Sequence, residues 1–202
     1  MKLSTILLGF LISPLPLPAG TTLSAHADGE LLDSDGDGIF ETIRKDSLEF
    51  RVLASPARKS CAVLEFKMPE GKNPAKKVML RLYLNGKSGS TAWPETAGSH
   101  GPECVLFGYL APNADGELSL SDDGTGEKIT PVLEAKATDV KQPLLLDVTT
   151  WFNRAVDRQS PFIGFRIETT DQPGSPNGWR FRSSEFGRKY SERWTPALLV
   201  SR

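Results

Sequence analysis

The segment WRFRSSEFGRKYSERW, residues 179–194, concentrates four arginines, one lysine and two glutamates among aromatic side chains. If GWRFRSS is a strand, Trp179 and Phe181 face one side and Arg180 and Arg182 face the other. Guanidinium groups bind carboxylates through paired hydrogen bonds, and uronic-acid sugars carry a carboxylate on every residue. The segment therefore predicts a surface that binds an anionic ligand.

This predicted surface continues past the strand into a loop that carries further cations, and two aromatic rings are candidate stacking platforms for a sugar. The predicted carbohydrate-binding residues are Arg180, Arg182, Arg188, Lys189, Tyr190, Arg193 and Trp93. In the alternative interpretation, Glu185 and Glu192 pair with these cations, and the segment is an ordinary solvated surface.

A second motif, DSDGDGIFE at residues 33–41, has the spacing of a calcium loop, in which alternate carboxylates converge on one cation. The predicted ligands of a structural Ca²⁺ ion are Asp33, Asp35, Asp37 and Glu41. The motif departs from an EF-hand at its twelfth position, where Arg44 replaces the usual glutamate. The alternative is an acidic, flexible leader without a metal.

Nucleophilic or zinc chemistry finds little support, and we expect no catalytic residue. After residue 27 the chain has a single histidine, His100, and its spacing from Cys61 and Cys104 matches no familiar zinc site. The two cysteines predict a disulfide in an oxidising compartment, with two buried free thiols as the alternative.

The amino-terminal segment predicts a signal peptide over residues 1–27. One lysine precedes an apolar run that is too short and too rich in proline to span a bilayer, and Ala25-His26-Ala27 has the small-x-small pattern of a cleavage site. The exported chain would begin at Asp28, and its location would be outside the cell, on its surface or in the periplasm. No later stretch predicts a membrane span.

The overall charge gives no indication of a nucleic-acid partner, and we expect none, but the charges are unevenly distributed along the chain. The formal net charge is −1, yet residues 28–50 hold eight acids and two bases, whereas residues 179–202 hold six bases and two acids. Such asymmetry points to an ion or a charged partner. We expect an acidic leader over residues 28–47 and one domain over residues 48–202.

Alternating apolar and polar residues predict an all-β fold. In KKVMLRLYL, Val78, Leu80, Leu82 and Leu84 share one face, and segments such as PEGKNPAK and PNADGE carry turn residues. These features favour an antiparallel, jelly-roll-like β-sandwich. One short helix is predicted in DVTTWFNRAVDR, where Trp151 belongs to an apolar stripe.

The order AVLEFKMPEG, VMLRLYL, LLLDVTTWFNRAVDRQSPFIGFRIET and FRSSEFGRKYSERWTPALLVSR resembles the DNRLRE, or disaggregatase-related, domain over residues 48–202. The resemblance implies a non-catalytic jelly-roll module of secreted proteins, some of which bind acidic polysaccharides such as alginate. We therefore expect a secreted carbohydrate-binding module. A structural or adhesive cell-surface protein and a small secreted polysaccharide hydrolase are the alternatives.

Overall fold

The computed structural model describes residues 20–71, 73–89, 103–124, 126–133, 142–169 and 177–202, which form an all-β fold with two short helices. The strands are β1 Thr21–Ser24, β2 Ala27–Asp33, β3 Thr42–Arg44, β4 Glu49–Ser55, β5 Arg58–Lys67, β6 Lys77–Gly89, β7 Cys104–Leu110, β8 Glu127–Leu133, β9 Pro143–Asp147, β10 Phe162–Thr169, β11 Asn177–Arg182 and β12 Ala197–Ser201. The helices are α1 Thr149–Asp157 and α2 Ser184–Tyr190, and 3₁₀ turns occur at Leu120–Asp122 and Glu192–Trp194.

The strands form two antiparallel layers that are joined through β6. The first part of β6 pairs with β9 and β12, and β12 pairs in turn with β1. Its second part pairs with β11, which leads into the larger layer in the order β11-β4-β5-β10-β7-β8. The predicted antiparallel, sandwich-like fold is thus confirmed.

The main core lies between the two layers. The alternation in KKVMLRLYL has the predicted effect, since Val78, Leu80, Leu82 and Leu84 of β6 are all fully buried. They belong to one cluster with residues of β5, β7, β10 and β11. The predicted inward orientation of Trp179 and Phe181 is also confirmed, because both side chains are fully buried in this cluster.

Helix α1 lies within the predicted segment and buries the predicted stripe. Trp151, Phe152, Ala155 and Val156 are buried and join the main core. Asp147 precedes the helix, and its Oδ1 accepts a hydrogen bond from the Thr149 backbone N–H at 3.0 Å. The helix is therefore amphipathic. Its apolar face covers the core, and its polar face is in contact with water.

Residues 28–47, predicted as a leader, supply β2 and β3 to the larger layer. Strand β2 pairs with β5 along seven positions, from Ala27 opposite Glu65 to Asp33 opposite Lys59. Its Leu31 belongs to a second, smaller apolar cluster that also contains Phe40, Val63 and Tyr109. The larger layer therefore buries side chains on both of its faces.

The predicted disulfide is wrong. Cys61 and Cys104 are both buried, and no disulfide joins them. They belong to different clusters, Cys61 to the small one and Cys104 to the main core, so the larger layer separates their side chains. Burial raises the pKa of the Cys61 thiol, which keeps it protonated. Both residues are packing side chains, as in the alternative interpretation.

Within the described ranges, no helix has the length and apolar character needed to cross a bilayer.

Candidate functional site

Strand β11 places Arg180 and Arg182 on the side opposite to the core, as its alternation predicts, but neither guanidinium is freely available. Arg180 Nε donates to the carbonyl of Lys87 at 2.8 Å, and its Nη1 forms an ion pair with Glu49 Oε2 at 3.3 Å. The Arg180 side chain is 43% exposed. Arg180 thus lies at the border of the predicted surface and already has a counter-charge.

Arg182 is a buried stacking element. It is only 5% exposed, and its guanidinium carbon lies 4.0 Å from the ring centre of Trp194 and 4.5 Å from that of Phe186. Its Nε donates to Asn85 Oδ1 at 3.0 Å, and desolvation lowers the pKa of the guanidinium. Because arginine stays charged in proteins, this group holds the two rings in place by cation–π attraction.

The loop predicted after β11 is wrong, since residues 184–190 form helix α2. Ser183 caps the helix, and its Oγ accepts a hydrogen bond from the Phe186 N–H at 3.2 Å. Glu185 in the first turn and Arg188 and Lys189 in the last turn match the helix dipole. Arg188 and Lys189 are thus carried by a helix and not by the predicted loop.

The outer side of α2 presents exposed cations beside an exposed ring. Tyr190 is 58% exposed, and Lys189 Nζ lies 5.4 Å from its ring centre. Phe186 supports that ring at 4.6 Å between centres. Arg188 is 72% exposed in its side chain and forms an ion pair with Glu185. One local ion pair of the alternative interpretation is thus present.

The 3₁₀ turn adds a second cation to the same surface. Arg193 is exposed, and its guanidinium carbon lies 4.4 Å from the ring centre of Trp194. Trp194 meets Tyr83 edge to face at 4.9 Å. Contacts between rings and cations therefore run without a break from β6 to α2. We call this arrangement the cation–aromatic surface, and it comprises Tyr83, Arg182, Phe186, Lys189, Tyr190, Arg193 and Trp194.

Four of the seven residues predicted to bind carbohydrate are exposed on α2 and the 3₁₀ turn: Arg188, Lys189, Tyr190 and Arg193. Arg180 is paired at the border, Arg182 is buried, and Trp93 lies outside the described residues. The sequence reasoning did not single out Phe186 or Trp194. Their positions three and four residues from other aromatic or cationic residues of the segment could have indicated them.

The acidic motif forms a turn whose carboxylates converge. Ligand oxygens of Asp33, Asp35, Asp37 and Glu41 lie within 4.8 Å of one another. Asp33 is buried and shapes the turn, because its two oxygens accept hydrogen bonds from the N–H groups of Gly36 and Gly38 at 2.6 and 3.0 Å. The other three residues are exposed. The donor set consists of hard oxygens, which suit Ca²⁺.

Backbone geometry explains the glycines of this turn. Gly36 and Gly38 have φ angles of +80° and +91°, which other residues rarely adopt. A side chain on Gly36 would also collide with the carbonyl of Pro56. The glycine conformations and the hydrogen bonds from Gly36 and Gly38 to Asp33 hold this turn without a bound cation.

No protein-family model matches the chain, and no curated protein matches it significantly.

Proposed function

We propose that the protein is a secreted, non-catalytic carbohydrate-binding module whose ligand is an anionic polysaccharide such as alginate. The observation that carries the proposal is the exposed ring of Tyr190 with Lys189 over it, together with the exposed cation Arg193 over the ring of Trp194. An aromatic ring offers a stacking face to a sugar, and the surrounding cations attract its carboxylates.

Pre-organisation supports this proposal. Arg182 lies between the rings of Phe186 and Trp194, so the cation–aromatic surface is assembled without a ligand. A surface whose side chains are already ordered loses less conformational entropy when it binds. The resemblance to the DNRLRE domain, carried by FRSSEFGRKYSERW and the closing strand PALLVSR, points to the same class of ligand.

Calcium enters the proposal as a structural ion. Asp33, Asp35, Asp37 and Glu41 would hold it in the turn that follows β2. The ion would offset the repulsion between four neighbouring carboxylates. We assign it no role in binding the polysaccharide.

Affinity electrophoresis through gels that contain alginate or polygalacturonate tests the proposed face. The test variant is Lys189→Gln/Arg193→Gln, which removes two exposed charges and keeps polar side chains that form hydrogen bonds. The control is Lys67→Gln/Lys128→Gln, which makes the same charge change at exposed positions on β5 and β8. We expect the test variant to bind about three- to tenfold more weakly and the control to bind like the wild type.

Three further measurements complete this test: salt dependence, a neutral polysaccharide and the variant Tyr190→Ala. Raising the salt concentration should weaken wild-type binding, because exposed charges are screened, and a neutral polysaccharide should bind weakly. Tyr190→Ala should weaken binding at every salt concentration, since stacking does not depend on charge. Equal weakening by both double variants, or no retardation of the wild type, would overturn the proposed face. Release of reducing ends from the same polysaccharides would instead identify a hydrolase.

A further inference from the structure

The smaller layer has an outer face, on the side of β12, β6 and β9 that points away from the main core. Alternate residues of these strands lie in the main core or pack against it, so the residues between them point outward. The outer face comprises Lys77, Met79 and Arg81 on β6, Leu145 and Asp147 on β9, and Leu199 on β12. Strand pairing places Met79 between Asp147 and Leu199, and Arg81 opposite Leu145.

Apolar side chains form a continuous patch on the outer face. Leu145 is 47% exposed, and Met79 and Leu199 are partly exposed. Met79 and Leu199 are direct neighbours across the strands, and Leu145 is a diagonal neighbour of Met79. Apolar residues that are exposed singly need no explanation, whereas a contiguous patch can mark a binding site.

The charge of the outer face favours an anionic ligand. Lys77 is exposed, Arg81 is partly exposed, and Asp147 is the one acid among the six residues of the face. The Asp147 carboxylate accepts hydrogen bonds from the Thr149 hydroxyl at 2.6 Å and from the Thr149 N–H at 3.0 Å, and these bonds lower the pKa of Asp147. Its charge is therefore partly satisfied within the protein, and the two cations remain in excess.

Arg81 joins the outer face to the cation–aromatic surface. Its guanidinium carbon lies 5.6 Å from the ring centre of Tyr83, and its Nη2 donates to the carbonyl of Thr195 at 3.4 Å. The ring of Tyr83 in turn contacts Trp194. From Tyr83 to Met79, β6 extends this surface by about 14 Å, at roughly 3.4 Å per residue. The combined surface is therefore longer than a single sugar ring.

A polysaccharide repeats the same chemical groups along its length. Each acidic sugar carries a carboxylate, which cations attract, and C–H groups, which lose contact with water when they meet apolar side chains. The outer face offers the complement of both groups, because it combines two cations with an apolar patch.

We propose that the outer face binds a second stretch of the same anionic polysaccharide, so that one ligand chain extends from Tyr190 across Trp194 to Leu145. Lys77 and Arg81 attract its carboxylates there. This extension rests on the proposed function, and it means that the protein recognises several consecutive acidic sugars.

Titration calorimetry on the full 202-residue chain tests the extension. The ligands are a trimer and a decamer of guluronic acid, which differ only in length. We expect the wild type to bind the decamer about tenfold or more tightly than the trimer, since a chain held at two connected surfaces gains affinity from both.

Variants assign this gain to the outer face. Lys77→Gln/Leu145→Thr removes one exposed charge and one exposed apolar side chain, and threonine suits a strand. We expect this variant to bind the decamer about three- to tenfold more weakly and the trimer like the wild type. Lys67→Gln/Leu120→Thr makes the same two changes at exposed positions outside the outer face and should bind both ligands like the wild type. If the Lys77/Leu145 double variant does not fold, Lys77→Gln alone decides the test.

The Lys189/Arg193 double variant separates the extension from the proposed function, because it should weaken binding of both oligomers. If it does so while the outer-face variant binds the decamer like the wild type, or loses trimer and decamer affinity equally, only the extension is overturned. No binding of either oligomer by the wild type would overturn both proposals. A dimer of the wild type in sedimentation velocity that Leu145→Thr dissociates would assign the outer face to a second copy of the chain and would also overturn the extension.

Discussion

At the residue scale, Arg180 and Arg182 show what the alternation of side chains along a strand can predict and what it cannot. The pattern of β11 predicts that both point away from the core, and they do. It does not predict that Arg182 lies beneath Trp194 and Phe186, because that packing comes from α2 and the 3₁₀ turn. The disulfide prediction failed for the same reason. Which face of the larger layer each cysteine side chain occupies depends on the register of distant strands.

Glu65 supplies a prediction on pH. It is fully buried on β5, and burial raises its pKa to about 7 from 4.5, although a hydrogen bond from Gly116 opposes the shift. The folded protein thus retains a proton that the unfolded chain releases above pH 4.5. Stability contributed by this group is fully present below pH 4.5 and is lost as the pH rises through 7.

Glu65→Gln should remove that dependence. Its amide oxygen can still accept from Gly116 but carries no charge, so we expect the variant to gain roughly 2–3 kcal/mol over the wild type at pH 8 and little at pH 4.5. Urea unfolding at both pH values measures the difference. Glu117→Gln, an exposed change nearby, should show no such gain. A Glu65→Gln gain of equal size at both pH values would contradict the pH argument.

The proposed calcium site supplies a second prediction at this scale. Calcium should raise the melting temperature of the protein, because it would join four carboxylates that repel one another. Asp35→Asn should weaken calcium binding about tenfold in titration calorimetry, since it removes one ligand charge. Asp46→Asn, an exposed acid outside the turn, should leave it unchanged. No heat and no thermal shift in the wild type would leave an acidic turn without a metal.

At the scale of elements, α1 could be predicted and α2 could not. Helix α1 has a long stripe of apolar residues, whereas α2 has seven residues with a glycine in the middle, directly after a strand. Such a short helix is not stable by itself and depends on tertiary packing. The available signal was the cap, with Ser183 before Glu185 and basic residues in the last turn.

Gly187 tests how α2 is held. Alanine usually stabilises a helix relative to glycine by roughly 0.5–1 kcal/mol. Here a methyl group at Gly187 would collide with Oγ1 of Thr195. We therefore expect Gly187→Ala to destabilise the protein by about 1–3 kcal/mol in urea unfolding. The double variant Gly187→Ala/Thr195→Ala should recover much of the loss, and a stabilising single variant would contradict the packing argument.

Strand β1 supplies the other prediction at this scale. It pairs with β12 over four positions, and Leu23 packs against the main core. A chain that begins at Asp28 loses these contacts, so we expect it to be less stable than a chain that begins at Gly20 by roughly 1–3 kcal/mol. Denaturant unfolding of the two purified chains measures the difference. Equal stability would mean that β1 contributes no net free energy.

At the scale of the whole molecule, the uneven charge of the sequence is partly satisfied within the fold. The acidic amino-terminal segment and the basic carboxyl-terminal segment lie side by side, because β4 pairs with β11. Glu49 pairs with Arg180, and Asp28 accepts a hydrogen bond from Ser184. Asymmetry read from sequence alone therefore overstates the charge that remains for partners.

The predicted signal peptide, if it is cleaved, would change this architecture. Ala25-His26-Ala27 predicts a start at Asp28, which amino-terminal sequencing of the exported protein checks. Ala27→Arg places a large side chain next to the predicted cut and should abolish that start. A start at Met1 would contradict the signal peptide, and a start just before Thr21 would contradict only its position. The distinction matters structurally, because removal of residues 1–27 removes β1 and leaves β12 with an unpaired edge.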